Sequence, residues 1–282
     1  MAFLISFCIV LGSLLVGIAA SSPWSLCNKN ALITGGSKGI GNACVKEFLE
    51  LGARVVTCAR SEADLAQCVQ EKDLQAYYES GHLHTVVADV STKEGRDTVL
   101  SYCHDLFKSG HDGEAVMHCL VNNVGFNIRK KATDFSEEEY DRVMATNLKS
   151  AFVLSQECYP MLKRAGGKGS VVNVGSVAGG CQVAMKSGVV YAMTKAAMNQ
   201  MTYNLACEWA AGEPAAAASG GFGLGLGSAL FGSSPSPSSA GSGVRVNAVC
   251  PWCVTSLSFL SLSSLSYACM LDDMAWHDMT RV

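Results

Sequence analysis

The chain lacks the basic segments that nucleic-acid-binding proteins carry. No long run of Lys and Arg and no interleaving of aromatic with basic residues occurs, and the net charge is -3 over 282 residues. Binding to phosphates needs a concentration of positive charge, so the sequence excludes the nucleic-acid-binding class. The chain also lacks the length for a second full domain, and with 49% hydrophobic residues we expect one large core.

The thirteen cysteines lack the regular spacing of a small disulfide-bonded domain. Their number is odd and they are scattered from Cys8 to Cys269, which favours reduced thiols in the core. Four histidines stand near two of these cysteines in the sequence: His82, His84, His111 and His118 near Cys103 and Cys119. Their spacing matches no closed four-ligand zinc pattern, so no metal site is predicted.

The N-terminus lacks Lys and Arg ahead of its apolar run, residues 2–20. The small residues of Gly17–Ser22 are typical of signal-peptide cleavage, the length suits a membrane anchor, and a mis-assigned start is the third interpretation. The missing positive charge weakens the first two interpretations. We expect a separate hydrophobic segment at 1–23, with membrane attachment or the secretory route slightly favoured over a soluble cytoplasmic or plastid protein.

A glycine-rich turn between a strand and a helix is the first positive signal. Asn30–Thr34 reads as a buried strand, followed by Gly35-Gly-Ser-Lys-Gly39-Ile-Gly41 and a helical pattern over Asn42–Leu51. Gly35 would permit the tight turn, Gly39 would let the backbone approach a pyrophosphate, and Gly41 would let helix and strand pack closely. The spacing Gly-x-x-x-Gly-x-Gly differs from the commoner dinucleotide fingerprint Gly-x-Gly-x-x-Gly.

Strands and helices alternate along the chain, which predicts an α/β doubly wound parallel sheet (Rossmann-like) in a single domain at 24–256. Six strands are expected, at Asn30–Thr34, Arg54–Cys58, His84–Ala88, Cys119–Asn122, Ser170–Val174 and Val244–Val249. A cofactor would lie across their carboxyl ends. The Ala/Gly/Ser/Pro-rich segment 212–243 is predicted to be a flexible low-complexity insertion, and its simplest interpretation is an exposed loop without function.

Tyr191 and Lys195 are four residues apart and would share one helix face. A phenol is a poor acid at neutral pH unless a fixed positive charge stabilises its phenolate, and Lys195 would provide that charge. In isolation such a pair is also common on solvated helix faces. Ser176 alone would be an ordinary turn hydroxyl at a strand end, and Asn147 alone an ordinary helix residue.

Four motifs in order resemble the short-chain dehydrogenase/reductase family: Thr34–Gly41, Asn122-Asn-Val-Gly125, Ser176, and Tyr191 with Lys195. Further stretches, including Val121–Arg129, Asn204–Trp209 and Asn247–Trp252, resemble its tropinone reductase-like members. The likeness covers about residues 24–256. Family members continue through a seventh strand, which the divergent tail 257–282 is predicted to lack, leaving the sixth strand as a sheet edge.

The resemblance implies hydride transfer between a nicotinamide cofactor and a small or medium carbonyl or alcohol. Tyr191 would exchange the proton, Ser176 would hydrogen-bond the reacting oxygen, Lys195 would bind the ribose hydroxyls, and Asn147 would hold a water. The implied cofactor-binding set is Gly35, Ser37, Lys38, Gly39, Ile40, Gly41, Arg60, Asp89, Val90, Asn122, Gly125, Tyr191, Lys195, Val254 and Ser256. A homo-oligomer is usual in the family, but loss of the seventh strand would weaken its dimer contacts.

The charges after the second strand predict NADP(H) rather than NAD(H). That strand is followed by Arg60, with no carboxylate before Glu62, and Lys38 adds a positive charge from the glycine turn. Basic residues bind a 2'-phosphate that an acidic residue would repel, although Arg60 could also be a plain surface residue.

Two other functions compete with the reductase. Cys250-Pro-Trp-Cys253 has the C-x-x-C pattern of thiol redox proteins, although such proteins carry the motif early in a small fold. A cofactor-binding but catalytically impaired family member is the second alternative, because the divergent tail would fail to shape a substrate pocket. Retained cofactor binding without turnover would identify that alternative.

Overall fold

The computed structural model describes residues 24–108, 113–180, 188–210 and 243–251. The hydrophobic segment 1–23, nearly all of the predicted insertion 212–243 and the tail with the proposed missing strand lie outside the described residues. In the part that is described, no helix has both the length and the apolar character needed to cross a membrane.

The described strands form one sheet in which every pairing is parallel. The strands are β1 Asn30–Thr34, β2 Arg54–Ala59, β3 Leu83–Val87, β4 Cys119–Asn122, β5 Ser170–Val174 and β6 Arg245–Val249. Their order is β3-β2-β1-β4-β5-β6. The predicted doubly wound sheet is therefore confirmed, with strand bounds that match the prediction to within one residue.

Helices connect successive strands. They are α1 Gly39–Glu50, α2 Glu62–Val69, α3 Lys72–Glu79, α4 Lys93–Leu106, α5 Glu137–Met144, α6 Ser150–Lys163 and α7 Val189–Ala210. A π-helical turn, Ala145–Lys149, joins α5 to α6. Helix α1 begins at Gly39, three residues before the predicted start, so its first turn already contains the last two motif glycines.

Neighbouring residues of the central strands point into opposite cores. Leu32 and Leu120 are fully buried in one core, together with side chains of α4, α6 and α7. Ile33 and Val121 are buried in the other, against side chains of α1, α2 and α3. Alternation along a strand sends successive side chains to opposite faces, which explains why these strands are apolar throughout. Each fully buried Leu or Ile stabilises the fold by roughly 1.5–3 kcal/mol.

The sheet order reverses between β1 and β4, because β2 and β3 lie on one side of β1 while β5 and β6 lie beyond β4. At such a point the connecting helices leave toward opposite faces of the sheet, which opens a crevice outside the strand ends. The fold therefore directs the carboxyl ends of β1 and β4 toward the same crevice.

Candidate active site

A cleft of about 700 Å³ lies at the carboxyl ends of β1, β2, β4 and β5. Its lining includes most of the predicted site residues: Gly35, Ser37, Lys38, Ile40, Arg60, Asp89, Val90, Gly125, Ser176, Tyr191 and Lys195. Its size falls in the range of small-molecule and cofactor sites. One cavity thus brings together segments that are more than 150 residues apart in the chain.

The glycine turn has the backbone geometry that its sequence predicts. Gly35 and Gly39 have φ values of +70° and +62°, a region that side chains disfavour. A Cβ on Gly41 would lie 2.3 Å from the carbonyl oxygen of Gly35, so only glycine fits there. No side chain caps the N-terminus of α1, and a Cβ on Gly39 would meet no atom within 4 Å. The turn therefore presents open space beside an uncapped helix N-terminus, an arrangement suited to a phosphate group.

Two polar residues that sequence reasoning missed hold the turn against β4. The Thr34 hydroxyl accepts hydrogen bonds from the backbone N–H groups of Asn123, at 3.0 Å, and Val124, at 3.3 Å. The Asn123 side-chain amide donates to the carbonyl oxygens of Thr34, at 2.9 Å, and Gly35, at 3.1 Å. Both residues belong to the family motifs, but nothing in their local pattern indicates that they bond to each other's segment.

Tyr191 and Lys195 lie on the first turns of α7 and both line the cleft. The Lys195 Nζ is 5.9 Å from the centre of the Tyr191 ring. It also donates a hydrogen bond of 2.6 Å to the carbonyl oxygen of Val174, at the end of β5. The Lys195 side chain is buried, and this loss of hydration lowers its pKa from 10.5 to about 8. The solvated-face interpretation of this pair is therefore wrong for Lys195.

Ser176 follows β5 and reaches the same cleft. Its backbone is extended, and its hydroxyl accepts a hydrogen bond of 3.2 Å from the N–H of Ala178 in a short 3-10 turn. That bond leaves the hydroxyl hydrogen available for a ligand. The structure thus brings Ser176, Tyr191 and Lys195 to one cavity, although their predicted chemical roles remain predictions.

Asn147 lies in the π-helical turn and is completely buried, and it does not line the cleft. Its side-chain oxygen accepts from the N–H of Phe126 at 2.9 Å, and its amide donates to the Phe126 carbonyl and to the Thr194 hydroxyl. The residue therefore ties the loop after β4 to α7. Its predicted water-holding role remains a prediction.

Asn122 also lies below the cleft rather than in its lining. Its side chain is buried and donates to the Asn173 side chain at 2.9 Å and to the Ser155 hydroxyl at 3.0 Å. Asn173 in turn donates to the Thr202 hydroxyl at 2.9 Å. This buried polar network joins β4 and β5 to α6 and α7. The predicted cofactor-binding role of Asn122 remains a prediction.

Two ion pairs stand at the opposite end of the cleft from Tyr191, where β2 ends. The Lys38 Nζ is 2.9 Å from an oxygen of Asp64, in the first turn of α2. The Arg60 Nη1 is 3.9 Å from an oxygen of Asp89. Sequence reasoning found both cations and Asp89 but missed Asp64, which lies beyond the carboxylate at Glu62 that it considered. The two positive charges used to predict the cofactor are therefore each paired with a carboxylate.

The remaining predictions concern the end of the family-like region, the cysteines and a metal site. Val254, Ser256 and Cys253 lie outside the described residues, whereas the half-buried Cys250 thiol donates to the Asn199 side chain at 3.5 Å. Burial raises the pKa of the Cys58 thiol, which lines the cleft, to about 12. No group of three or more His, Cys, Asp or Glu side chains that could hold a metal occurs within the described ranges.

The comparison with protein families adds to this geometry. The model of a family described as short chain dehydrogenase matches residues 29–213, about two thirds of the chain. The chain belongs to the short-chain dehydrogenase/reductase family. The matched range contains the glycine turn, Ser176, Tyr191 and Lys195, so the family pattern and the cleft coincide.

Similar curated proteins and solved structures agree with this family assignment. A tropinone reductase homolog of Arabidopsis thaliana is 38% identical over 238 residues, or 84% of this chain and 73% of the relative. A second one is 44% identical over 187 residues, 66% of each chain. The solved Pseudomonas aeruginosa RhlG/NADP active-site complex has a TM-score of 0.62 and 28% identity, covering 82% of this chain and 75% of RhlG. The family member is thus close to the tropinone reductase-like group.

Proposed function

We propose that this oxidoreductase uses NADP(H) to interconvert a small or medium carbonyl compound and its alcohol. The convergence of Ser176, Tyr191 and Lys195 on one cleft with an uncapped helix N-terminus carries the proposal. Its family uses a nicotinamide cofactor, and in the proposed binding mode the glycine turn would face the phosphates of that cofactor and Tyr191 would face the reacting carbonyl. When bound, that cofactor supplies or accepts the hydride.

Tyr191 is the proposed proton donor in the reducing direction. A carbonyl oxygen that gains negative charge needs a proton, and a hydroxyl held in the cleft can provide it without a free alkoxide forming. Ser176 would donate a hydrogen bond to the same oxygen and so fix its position. The Lys195 ammonium, whose Nζ is 5.9 Å from the centre of the phenol ring, favours negative charge on the phenolate that remains.

The proposed cofactor preference depends on Arg60 and Lys38. Both side chains line the cleft beyond β2, and more than half of the surface of each side chain is exposed. A guanidinium can bind a phosphate through two parallel hydrogen bonds, whereas an ammonium acts as a mobile point charge. The solved RhlG relative is an NADP complex, and its likeness to this chain supports the choice by analogy.

The proposal is tested by NADPH and NADH fluorescence titrations and by turnover with a panel of ketones. Tyr191→Phe should abolish turnover while NADPH affinity stays nearly unchanged, because only the proton is removed. Tyr203→Phe, on the same helix with a side chain 68% exposed, is the matched control and should behave like the parent protein. Retained turnover in Tyr191→Phe would refute the assigned acid. NADPH binding by the parent protein without turnover of any ketone would instead identify a catalytically impaired member.

A further inference from the structure

The charged groups beyond β2 form a compact set with no net charge. Lys38 and Arg60 contribute two positive charges, and Asp64 and Asp89 contribute two negative ones, all lining the same end of the cleft. Positive charge that a neighbouring carboxylate already neutralises is less available to a phosphate. The sequence pattern alone predicts an uncompensated basic site at this position, so the carboxylates change the expected strength of phosphate binding.

The two carboxylates are held by the fold more firmly than the cations. Asp64 lies in the first turn of α2, where its backbone N–H donates to the Ser61 hydroxyl at 3.1 Å. Asp89 accepts from the backbone N–H and the hydroxyl of Ser91, at 2.9 and 2.7 Å. The side chains of Lys38 and Arg60 are 66% and 58% exposed, against 34% for Asp64 and 36% for Asp89. The Ser91 bonds thus fix the Asp89 carboxylate, and the short side chain of Asp64 starts from a fixed helical backbone, while the long cationic side chains can move.

The two ion pairs differ in the distance between the cation and the carboxylate. Lys38 and Asp64 make a direct contact of 2.9 Å, whereas Arg60 and Asp89 stand 3.9 Å apart at the limit of an ion pair. Ser91 bonds to the other oxygen of Asp89, so the longer distance is what makes Arg60 the less strongly held cation. A phosphate that enters this end of the cleft can therefore engage Arg60 readily, but it must compete with Asp64 for Lys38.

We propose that Asp64 is a specificity-determining residue that weakens 2'-phosphate binding by holding Lys38 in an ion pair. The inference rests on the proposed NADP(H)-dependent function. Asp64 limits the discrimination between NADPH and NADH, because the Lys38 ammonium must leave one anion before it can bind another. Removing its charge releases Lys38 and increases the preference for the phosphorylated cofactor.

The test uses the full chain and two probes of the adenosine end, adenosine 2',5'-bisphosphate and 5'-AMP, with affinities measured by titration calorimetry. Asp64→Asn should tighten bisphosphate binding by about three- to fivefold and leave 5'-AMP affinity nearly unchanged, as expected for release of one exposed ion pair. Glu62→Gln is the matched control. Glu62 is exposed in the same helical turn but does not line the cleft, so its removal should not alter the ratio of the two affinities.

A Lys38→Gln background separates an effect of Asp64 through Lys38 from direct repulsion between the Asp64 carboxylate and the 2'-phosphate. If Asp64 acts by holding Lys38, Asp64→Asn should have no effect on bisphosphate binding in that background. The proposal is overturned if Asp64→Asn leaves the affinity ratio unchanged, if Glu62→Gln changes it equally, or if the gain persists without Lys38. Failure of the proposed cofactor preference would look different, since the parent protein would then bind the bisphosphate no better than 5'-AMP whatever Asp64→Asn does.

Discussion

Burial of Lys195 predicts a measurable dependence of stability on pH. The side chain is 3% exposed, and loss of hydration lowers its pKa from 10.5 to about 8. In the unfolded chain the ammonium is hydrated and keeps its ordinary pKa. The unfolded state therefore binds more protons between about pH 8 and 10.5, and the contribution of Lys195 to the free energy of unfolding rises with pH across that window. Below pH 8 the penalty for burying the ammonium is complete.

The size of the effect follows from the two pKa values. At about 1.4 kcal/mol per pH unit, the complete penalty is about 3 kcal/mol, of which about 2 kcal/mol is relieved between pH 7 and about pH 9.5. Replacing Lys195 with Met removes the penalty but leaves the Val174 carbonyl without its 2.6 Å partner. That second loss costs about 1–3 kcal/mol and does not change with pH. The pH dependence therefore isolates the ammonium.

The assay is urea denaturation of the cofactor-free protein and of Lys195→Met from pH 7 to about pH 9.5, in reductant. Thiols with raised pKa values, such as Cys58 and Cys119, lower the free energy of unfolding as the pH rises above 9, but they do so equally in both proteins. The free energy of unfolding of the parent minus that of Lys195→Met should thus rise by about 2 kcal/mol. The exposed Lys72→Met is the control and should show no such rise. A flat difference for Lys195→Met would refute the burial penalty.

Two other substitutions probe the glycine turn and the cofactor preference. Gly41→Ala would place a methyl group 2.3 Å from the backbone oxygen of Gly35. It should therefore lower the free energy of unfolding, measured in urea, by about 1–3 kcal/mol and weaken NADPH binding. Parent-like values in both assays would contradict the close packing. Arg60→Glu should weaken NADPH binding far more than NADH binding in fluorescence titrations, because it sets a carboxylate against a 2'-phosphate; equal weakening would argue against the proposed phosphate site.

Local features of the sequence predicted the fold well because each depends on neighbouring residues. The hydrophobic periodicity of strands and helices and the glycine turn are patterns of a few consecutive residues. The sequence therefore predicted β1, β4 and β5 with their observed bounds. The start of α1 was three residues late, because motif glycines were taken as turn although Gly39 and Gly41 already belong to the helix. The spacing of Tyr191 and Lys195 on one helix face was likewise a local inference.

The sequence pattern did not predict which polar side chains are buried or which charged side chains form ion pairs. Asn122 and Asn147 belong to a predicted site, yet both side chains are buried outside the cleft lining and make hydrogen bonds to groups on other elements. The spacing of Tyr191 and Lys195 left a solvated helix face open as an alternative, and it did not show that Lys195 would be buried and bonded to the Val174 carbonyl at the end of β5. Asp64 faces Lys38 only because α2 folds back beside the glycine turn.

By itself, the sequence determined the order of strands and helices and the positions where only glycine fits the turn, since both follow from short-range geometry. It also predicts Tyr191 as the group that exchanges a proton, and that role remains a prediction. Only the tertiary structure decided which polar groups keep their water and which charges neutralise one another. Hydration and Coulomb energies depend on distances between segments far apart in the chain, and those distances exist only once the sheet has assembled.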